Sequence, residues 1–155
     1  MLKRSFIISI ALLILTAVTA PGAPKPRVKG PITVTSETLT ADNRAHTALF
    51  EKNVVAKTPE MTLYADSMIV FYTEKGGDVT RIEATGNVRL YKDSRVITAQ
   101  KATYFADRGE VIFTGEPRAV DGENVVTGSV MMYFIGQDRS YVENSRVILK
   151  NGGAH

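Results

Sequence analysis

Short stretches in which hydrophobic and polar residues alternate dominate the chain from residue 32 onward. Three examples are Ile32-Thr33-Val34-Thr35, Met61-Thr62-Leu63-Tyr64-Ala65-Asp66 and Val88-Arg89-Leu90-Tyr91. A period of two over four to eight residues predicts strands with one buried face, and helical periodicity is almost absent from the same region. The pattern therefore predicts an all-β domain over residues 32–149.

Turn-forming residues separate these stretches about every 15 residues. The predicted turns lie at Asp42-Asn43, Thr58-Pro59, Lys75-Gly76-Gly77-Asp78, Lys92-Asp93-Ser94, Asp107-Arg108-Gly109, Asp121-Gly122 and Gly136-Gln137-Asp138. Asp, Asn, Gly and Pro each favour turns for their own backbone reasons. Short strands joined by such turns predict an antiparallel meander.

Two motif series recur in step along the meander. The first is Val34-Thr35-Ser36, Leu63-Tyr64-Ala65, Ile97-Thr98-Ala99 and Val126-Thr127-Gly128, with spacings of 29, 34 and 29 residues. The second is Phe50-Glu51-Lys52-Asn53-Val54, Ala84-Thr85-Gly86-Asn87-Val88, Phe113-Thr114-Gly115-Glu116-Pro117 and Val142-Glu143-Asn144-Ser145-Arg146, with spacings of 34, 29 and 29. The two series predict four stacked repeats of about 30 residues, because one such unit cannot bury its apolar face alone.

Stacked strands with one apolar face inside form a slightly open barrel, a jelly roll or a flattened solenoid. The inward side chains of such a fold would form a lengthwise apolar stripe. The predicted stripe consists of Ile32, Val34, Phe50, Val54, Leu63, Val70, Ile82, Val88, Leu90, Ile97, Phe113, Val126, Met132 and Phe134. For any single one of these residues, an ordinary position in the hydrophobic core is the better interpretation.

The chain begins with features of an export signal. Lys3 and Arg4 precede an apolar run from Phe6 to Val18, and small residues follow up to Ala20. This order predicts a signal peptide over residues 1–20, and the run is shorter than the roughly 20 residues that span a bilayer. Pro21 disfavours cleavage after Ala20, which leaves a retained anchor as the alternative.

Two segments outside the predicted domain lack strand character. Residues 21–31 contain four prolines and read as an extended linker, while residues 150–155 read as a flexible tail. Without Lys3 and Arg4 the 19 basic residues fall to 17, against 16 acidic ones. Because no basic run exceeds two residues, nucleic-acid binding is not expected.

Candidate catalytic and metal-binding residues are sparse. The chain has no cysteine, which excludes disulfides and thiolate sites, and its two histidines are His46, on a predicted strand, and His155 at the end. A metal site needs three or four converging ligands, so none is predicted. No nucleophile motif occurs. The scattered carboxylates leave a carbohydrate-cleaving pair as a remote alternative.

The two ends of an open meander have unpaired strand edges, which can pair with another chain. Residues 32–39 should form one edge and residues 141–150 the other. Head-to-tail pairing through these edges could build a filament of identical domains. Arg146 and Lys150 are the residues that could oppose such pairing.

The ordered motifs resemble the LptA/OstA family of periplasmic lipopolysaccharide-transport proteins. The resemblance covers residues 32–149 and rests on Ile32-Thr33-Val34-Thr35-Ser36, on Leu63-Tyr64-Ala65-Asp66 and on Gly86-Asn87-Val88. Lys52-Asn53-Val54 lacks the glycine of this last element. Gly115-Glu116-Pro117 and Asn144-Ser145-Arg146 are degenerate copies of it.

The resemblance implies a non-enzymatic periplasmic β-jelly roll that needs no cofactor and shelters the acyl chains of lipopolysaccharide. Its partners would be an inner-membrane anchored jelly roll and an outer-membrane translocon, joined end to end, with energy from a separate ATP-binding cassette transporter. The family's inward apolar residues of the first strand match Ile32 and Val34. An anchored member of the same system, and a structural β-repeat protein that polymerises without ligand, remain as alternatives.

Overall fold

The computed structural model describes residues 28–150, which form twelve strands. The strands are β1 (Thr33–Thr35), β2 (Thr38–Asp42), β3 (Thr47–Lys57), β4 (Thr62–Tyr72), β5 (Val79–Lys92), β6 (Arg95–Phe105), β7 (Glu110–Thr114), β8 (Arg118–Asp121), β9 (Asn124–Thr127), β10 (Val130–Phe134), β11 (Arg139–Glu143) and β12 (Arg146–Ile148). The predicted signal peptide, residues 21–27 of the predicted linker and residues 151–155 of the predicted tail lie outside the described residues.

All strand pairs are antiparallel and belong to one continuous sheet. Its main path runs β1-β3-β4-β5-β6-β7-β10-β11, while β2 pairs with β3, β8 pairs with β6 and β9, and β12 pairs with β9. The all-β, open antiparallel fold predicted from the alternating pattern is therefore confirmed. The division into four repeats stays a prediction.

A row of backbone irregularities crosses the sheet at the second motif series. Left-handed conformations occur at Lys52 and Asn53, at Gly86 and Asn87, at Gly115 and Glu116, and at Asn144. The strand register shifts beside the first two sites, between Glu51 and Val54 and between Thr85 and Val88. Because a bulge bends its strand and increases the local twist, the row folds the sheet along one line.

Side chains on neighbouring strands bridge this fold line. The Asn87 side-chain amide donates to Asp66 Oδ2 at 2.9 Å, and the Asn53 amide donates in the same way to Glu37. At the C-terminal end the Asn144 amide donates to Ser129 Oγ at 2.9 Å. Asparagine suits the fold line because it tolerates the left-handed region and its side chain can satisfy a neighbouring polar group.

The fold line divides the sheet into two layers of eight strand segments each. We call them layer A and layer B. Layer A contains β2, 47–51 of β3, 67–72 of β4, 79–85 of β5, 101–105 of β6, β7, β10 and β11. Layer B contains β1, 54–57 of β3, 62–65 of β4, 88–92 of β5, 95–99 of β6, β8, β9 and β12.

The strands are longer than the short units predicted from the motif spacing. Strands β3, β4 and β6 each have 11 residues and β5 has 14, since these four strands continue through the fold line into both layers. A bulge absorbs the bend without ending the strand, so the chain needs no turn there. Each predicted short strand in this part of the chain is half of a long, bent one.

The core lies between the two layers and forms a single cluster. Val54, Val88 and Ile97 enter it from layer B, and Met68 and Phe113 enter it from layer A. Val28 also packs against this cluster, although it belongs to the predicted linker. Packing of the chain onto the domain therefore begins four residues before the predicted boundary.

All seven predicted turns coincide with turns or bends between strands. His46, predicted to lie on a strand, instead ends the β2–β3 turn with a φ of 54°. Its ring packs edge-on against Tyr72, with 6.0 Å between the ring centres. The short, polar segment Asp42–Ala45 closes the turn, where backbone amides of Arg44 and Ala45 donate to the Asp42 carboxylate.

Both predicted edges occur in the structure. Strands β1 and β2 end the two layers on one side, and β12 and β11 end them on the other. Large hydrophobic side chains are exposed at both ends: Ile32 and Leu39 at the first, and Tyr141, Val147, Ile148 and Leu149 at the second.

Candidate lipid-binding interior

An apolar cavity lies between the layers beside the long central strands. Its volume is about 70 Å³, and side chains from both layers line it. Leu63 and Leu90 contribute from layer B, and Met68, Ile82 and Tyr104 contribute from layer A. Because its lining is apolar, this cavity can accept a hydrocarbon group but offers no fixed polar partner to an ionic ligand.

A second, wider cavity of about 310 Å³ lies between the layers near their C-terminal strands. Its floor includes Phe113 and Val126, whereas Arg95, Asp121 and Asp138 stand at its rim. We call the first space the apolar cavity and this second one the wide cavity. An amphiphilic molecule matches the wide cavity better than a purely apolar one, because charged groups surround its mouth.

A polar contact joins the two layers beside the wide cavity. Lys92 Nζ, at the end of β5 in layer B, donates to the Tyr133 hydroxyl of β10 in layer A at 2.8 Å. This hydrogen bond raises the pKa of the Lys92 ammonium above its usual 10.5, although partial burial acts in the opposite direction. The ammonium therefore stays charged at neutral pH while it lies beside the apolar interior.

Ion pairs extend this contact to two turns. Asp138 Oδ1, in the β10–β11 turn, lies 3.8 Å from Lys92 Nζ and 3.5 Å from Arg95 Nη1. Arg95 Nη2 also lies 3.6 Å from Asp121 Oδ2, and Ser94 Oγ donates to the other oxygen of Asp121 at 2.7 Å. We call Lys92, Arg95, Asp121, Tyr133 and Asp138 the latch.

Eleven residues of the predicted stripe lie in the core or pack against it. They are Val34, Phe50, Val54, Leu63, Val70, Ile82, Val88, Leu90, Ile97, Phe113 and Val126. Ile32 lines the apolar cavity but is 38% exposed, because it precedes the edge strand β1. Contact of these residues with lipid stays a prediction.

The predicted inward orientation of Met132 and Phe134 is wrong. Residues Met131, Tyr133 and Ile135 fill the core instead, which places Met132 and Phe134 on the opposite face of β10. Met132 reaches only the rim of the wide cavity, and the Arg139 guanidinium covers the Phe134 ring at 4.4 Å. Residues 130–135 are all apolar, so alternation alone could not decide which of them face inward.

Several interior residues were absent from the predicted stripe. Small residues form one group, comprising Ala56, Ala65, Ala84, Ala99, Ala102 and Ala119; larger ones are Val28, Met61, Met68, Tyr104, Val111, Met131, Tyr133, Ile135 and Val142. The alanines occupy inward positions of the alternating pattern, so the alternation could have identified them as interior residues. Their small size lets the layers approach closely around the cavities.

The acidic side chains at the wide cavity are the candidates for catalytic or metal chemistry. Within residues 28–150, no three His, Asp or Glu side chains converge as metal ligands would. Asp121 and Asp138 both stand at the wide cavity, but each is held in an ion pair with Arg95.

These features define a two-layer β-jelly roll with a partly open, largely apolar interior. A model of the family described as "LptA/(LptD N-terminal domain) LPS transport protein" matches residues 33–139. The chain belongs to this family of lipopolysaccharide-transport proteins. Among residues 28–150, no helix is long and apolar enough to cross a lipid bilayer.

Two known proteins show the likeness in detail. The LPS-assembly protein LptD of Coxiella burnetii is 33% identical over 91 residues, which are 59% of this chain and 10% of that protein. The crystal structure of LptH from Pseudomonas aeruginosa, described as the LptA-homologous periplasmic component of the lipopolysaccharide transport device, superposes with a TM-score of 0.71. That alignment covers 83% of this chain and all of LptH at 13% identity, so it shows the fold alone.

Proposed function

We propose that this chain is a periplasmic carrier that shelters the acyl chains of lipopolysaccharide between layers A and B. The observation that carries the proposal is the apolar cavity, to which side chains from both layers present only apolar surface. Each methylene group moved from water into such a space contributes roughly 0.8 kcal/mol. Several acyl chains can therefore bind firmly without any catalytic group.

The size of the interior sets a condition on this function. Typical ligand pockets have volumes of about 300–1,000 Å³. The wide cavity reaches this range at about 310 Å³, whereas the apolar cavity holds only about 70 Å³. Entry of a complete lipid A group therefore requires the two layers to separate, as the open sheet topology allows.

We further propose that lipopolysaccharide passes between jelly rolls joined end to end. Two exposed hydrophobic residues lie at opposite ends of the fold: Leu39 of β2 is 57% exposed, and Leu149, which follows β12, is 68% exposed. Edge pairing with an inner-membrane anchored jelly roll and an outer-membrane translocon would cover them and align the interiors. Copies of this chain could join head to tail in the same way.

Two alternatives differ from this proposal in identifiable ways. An anchored member of the same transport system would share the domain and differ in residues 1–27, which lie outside the described residues. A structural β-repeat protein would have a closed interior, whereas the two cavities between the layers favour a carrier. The energy source in either transport role would be a separate ATP-binding cassette transporter.

Site-specific photo-crosslinking in growing Gram-negative cells tests the carrier function. A photo-reactive residue at Leu63, which lines the apolar cavity, should capture lipopolysaccharide. The neighbouring Tyr64 faces the other side of the strand, where Arg89 covers its ring at 5.3 Å, so the same substitution there is the matched control. We expect at least several-fold more adduct at Leu63. Absence of adduct at Leu63, or equal capture at both sites, would contradict the proposal.

A further inference from the structure

The latch is the point at which the two layers touch through polar side chains inside the fold. Tyr133 is only 3% exposed, and the Lys92 side chain is 21% exposed, so their hydrogen bond lies between the layers rather than on the surface. The Lys92 ammonium also lies 5.4 Å from the centre of the Tyr133 ring. This pair therefore holds the Tyr133 side chain in one position across the interior.

The latch stands between the two cavities. Leu90 lines the apolar cavity, Ile97 lines the wide cavity, and both residues line a small gap with Lys92, Arg95 and Tyr133. This gap measures only about 10 Å³, roughly the least space that can hold one water molecule. A hydrocarbon chain that extends from one cavity into the other along this gap must displace the Tyr133 ring or the Lys92 side chain.

The charge of Lys92 adds to this steric barrier. An ammonium group that loses its hydrogen-bond partner beside a hydrocarbon chain is costly, because burial of an unpaired charge is strongly unfavourable. The closed latch gives the ammonium a partner in Tyr133 and a nearby carboxylate in Asp138. Passage of a lipid chain is therefore least costly when the Lys92 ammonium turns toward water.

The ion pairs of the latch are weak enough to open. Asp138 is 69% exposed and Asp121 is 50% exposed, and ion pairs of this exposure contribute little to stability. The β5–β6 turn and the β10–β11 turn can therefore separate without unfolding either layer. The latch is a reversible barrier rather than a permanent wall.

We propose that Lys92 and Tyr133 determine how long a hydrocarbon chain the interior admits, by closing the apolar cavity toward the wide cavity until the latch opens. This inference rests on the proposed carrier function and adds a specificity-determining contact to it. A short chain would fit on one side of the latch. In a longer chain, the methylene groups beyond the latch would add to the affinity only if the latch opened.

The test is a chain-length series measured on the purified protein. Saturated fatty acids with eight to eighteen carbons, below their micelle concentrations, displace a fluorescent apolar probe such as anilinonaphthalene sulfonate. Affinity should rise by about fourfold per added methylene until the chain reaches the latch, and then level off. In Tyr133→Phe and Lys92→Met, which remove the hydrogen bond and keep much of the side-chain volume, the rise should continue through that length.

Tyr104→Phe is the matched control, because Tyr104 lines the apolar cavity in layer A and lies outside the latch. The affinity of this variant should stop rising at the same chain length as that of the unmodified protein. Circular dichroism melting verifies that each variant is folded. The proposal is overturned if the affinity of the unmodified protein rises without levelling off. It is also overturned if the affinities of both latch variants level off at the same chain length as that of the unmodified protein. Failure of every chain length to bind would instead reject the carrier function and the latch together.

Discussion

The central and C-terminal parts of the molecule build the same two layers in different ways. In the centre, β3, β4, β5 and β6 each run through the fold line and belong to both layers. Beyond β6, separate strands form each layer, and short links at Gly115–Pro117, Gly128–Ser129 and Asn144–Ser145 connect them. The same bend is made by bulges in one half and by strand breaks in the other.

This difference coincides with the width of the interior. The apolar cavity of about 70 Å³ lies among the continuous strands, and the wide cavity of about 310 Å³ lies among the separate ones. A continuous backbone holds the two layers at a fixed angle, whereas short links between separate strands constrain the angle less. The C-terminal half is therefore the part in which we expect the layers to separate for a ligand.

The largest effect is expected at the buried centre of the C-terminal half. Phe113 is fully buried and contributes to the floor of the wide cavity. Phe113→Ala should lower the free energy of unfolding by about 3–5 kcal/mol, because it removes apolar contacts and enlarges a cavity. Urea unfolding followed by circular dichroism measures this change.

Phe134→Ala is the control for this substitution, since Phe134 lies on the outer face of β10, where the Arg139 guanidinium covers its ring at 4.4 Å, rather than in the core. Phe134→Ala should lower the free energy of unfolding by less than about 1 kcal/mol. Equal losses for Phe113→Ala and Phe134→Ala would show that the orientation of β7 and β10 differs from the one described.

A smaller effect is expected where a continuous strand crosses the fold line. Gly86 has a φ of 81°, and a Cβ atom there would collide with the Asp66 side chain. Gly86→Ala should therefore destabilise the protein by about 1–3 kcal/mol. Thermal and urea unfolding of the variant measure the loss.

Gly122→Ala provides the comparison in the C-terminal half. Gly122 also has a positive φ, 59°, but nothing lies within 4 Å of an added Cβ atom. Gly122→Ala should lower the free energy of unfolding by about 1 kcal/mol, because it introduces backbone strain alone. If Gly86→Ala is no more destabilising than Gly122→Ala, the close contact at the fold line does not contribute to stability.

A still smaller effect on stability is expected at the latch, which joins the two halves, and it should appear at alkaline pH. The folded-state pKa of Lys92 is raised, so its contribution to stability is complete below the unfolded-state pKa near 10.5 and is lost as the pH rises through the folded-state value. The melting temperature of the unmodified protein should thus fall more steeply above pH 10.5 than that of Lys92→Met. Parallel curves for the two proteins would argue against a stabilising Lys92–Tyr133 hydrogen bond.

The smallest effect on folding, and a large one on association, is expected at the end of layer B. Leu149 is 68% exposed beyond β12, so Leu149→Lys should change the unfolding free energy by less than about 0.5 kcal/mol. End-to-end assembly should weaken because a charge would oppose the hydrophobic contact. Sedimentation velocity over a range of concentrations measures the association.

Thr85→Lys is the matched control for the edge substitution. Thr85 is exposed in β5, in the middle of layer A and away from both edges. The same added charge there should leave association unchanged. Association that survives Leu149→Lys, or that is lost equally in Thr85→Lys, would exclude pairing through the β12 end.

Alternation and turn chemistry were sufficient to predict much of the fold. The pattern around Leu63 and Leu90 identified inward positions, and residues such as Gly122 and Asp138 marked turns that the structure contains. These signals are local, since a strand exposes one face per two residues and a turn requires particular backbone angles. The same signals failed at Met132 and Phe134, where a continuous apolar run carries no information about which face is inward.

The sequence by itself determined the antiparallel β class, the positions of the turns, the two edges and most of the apolar stripe, because all of these follow from residue type and spacing along the chain. Only the tertiary structure decided that β3–β6 continue through the fold line with bulges in β3 and β5, that Met131 and Tyr133 face inward, and that Lys92 meets Tyr133 between the layers. Lys92 and Tyr133 lie 41 residues apart in the sequence. Contacts of this kind depend on how two distant strands come to face each other, and no local pattern specifies that.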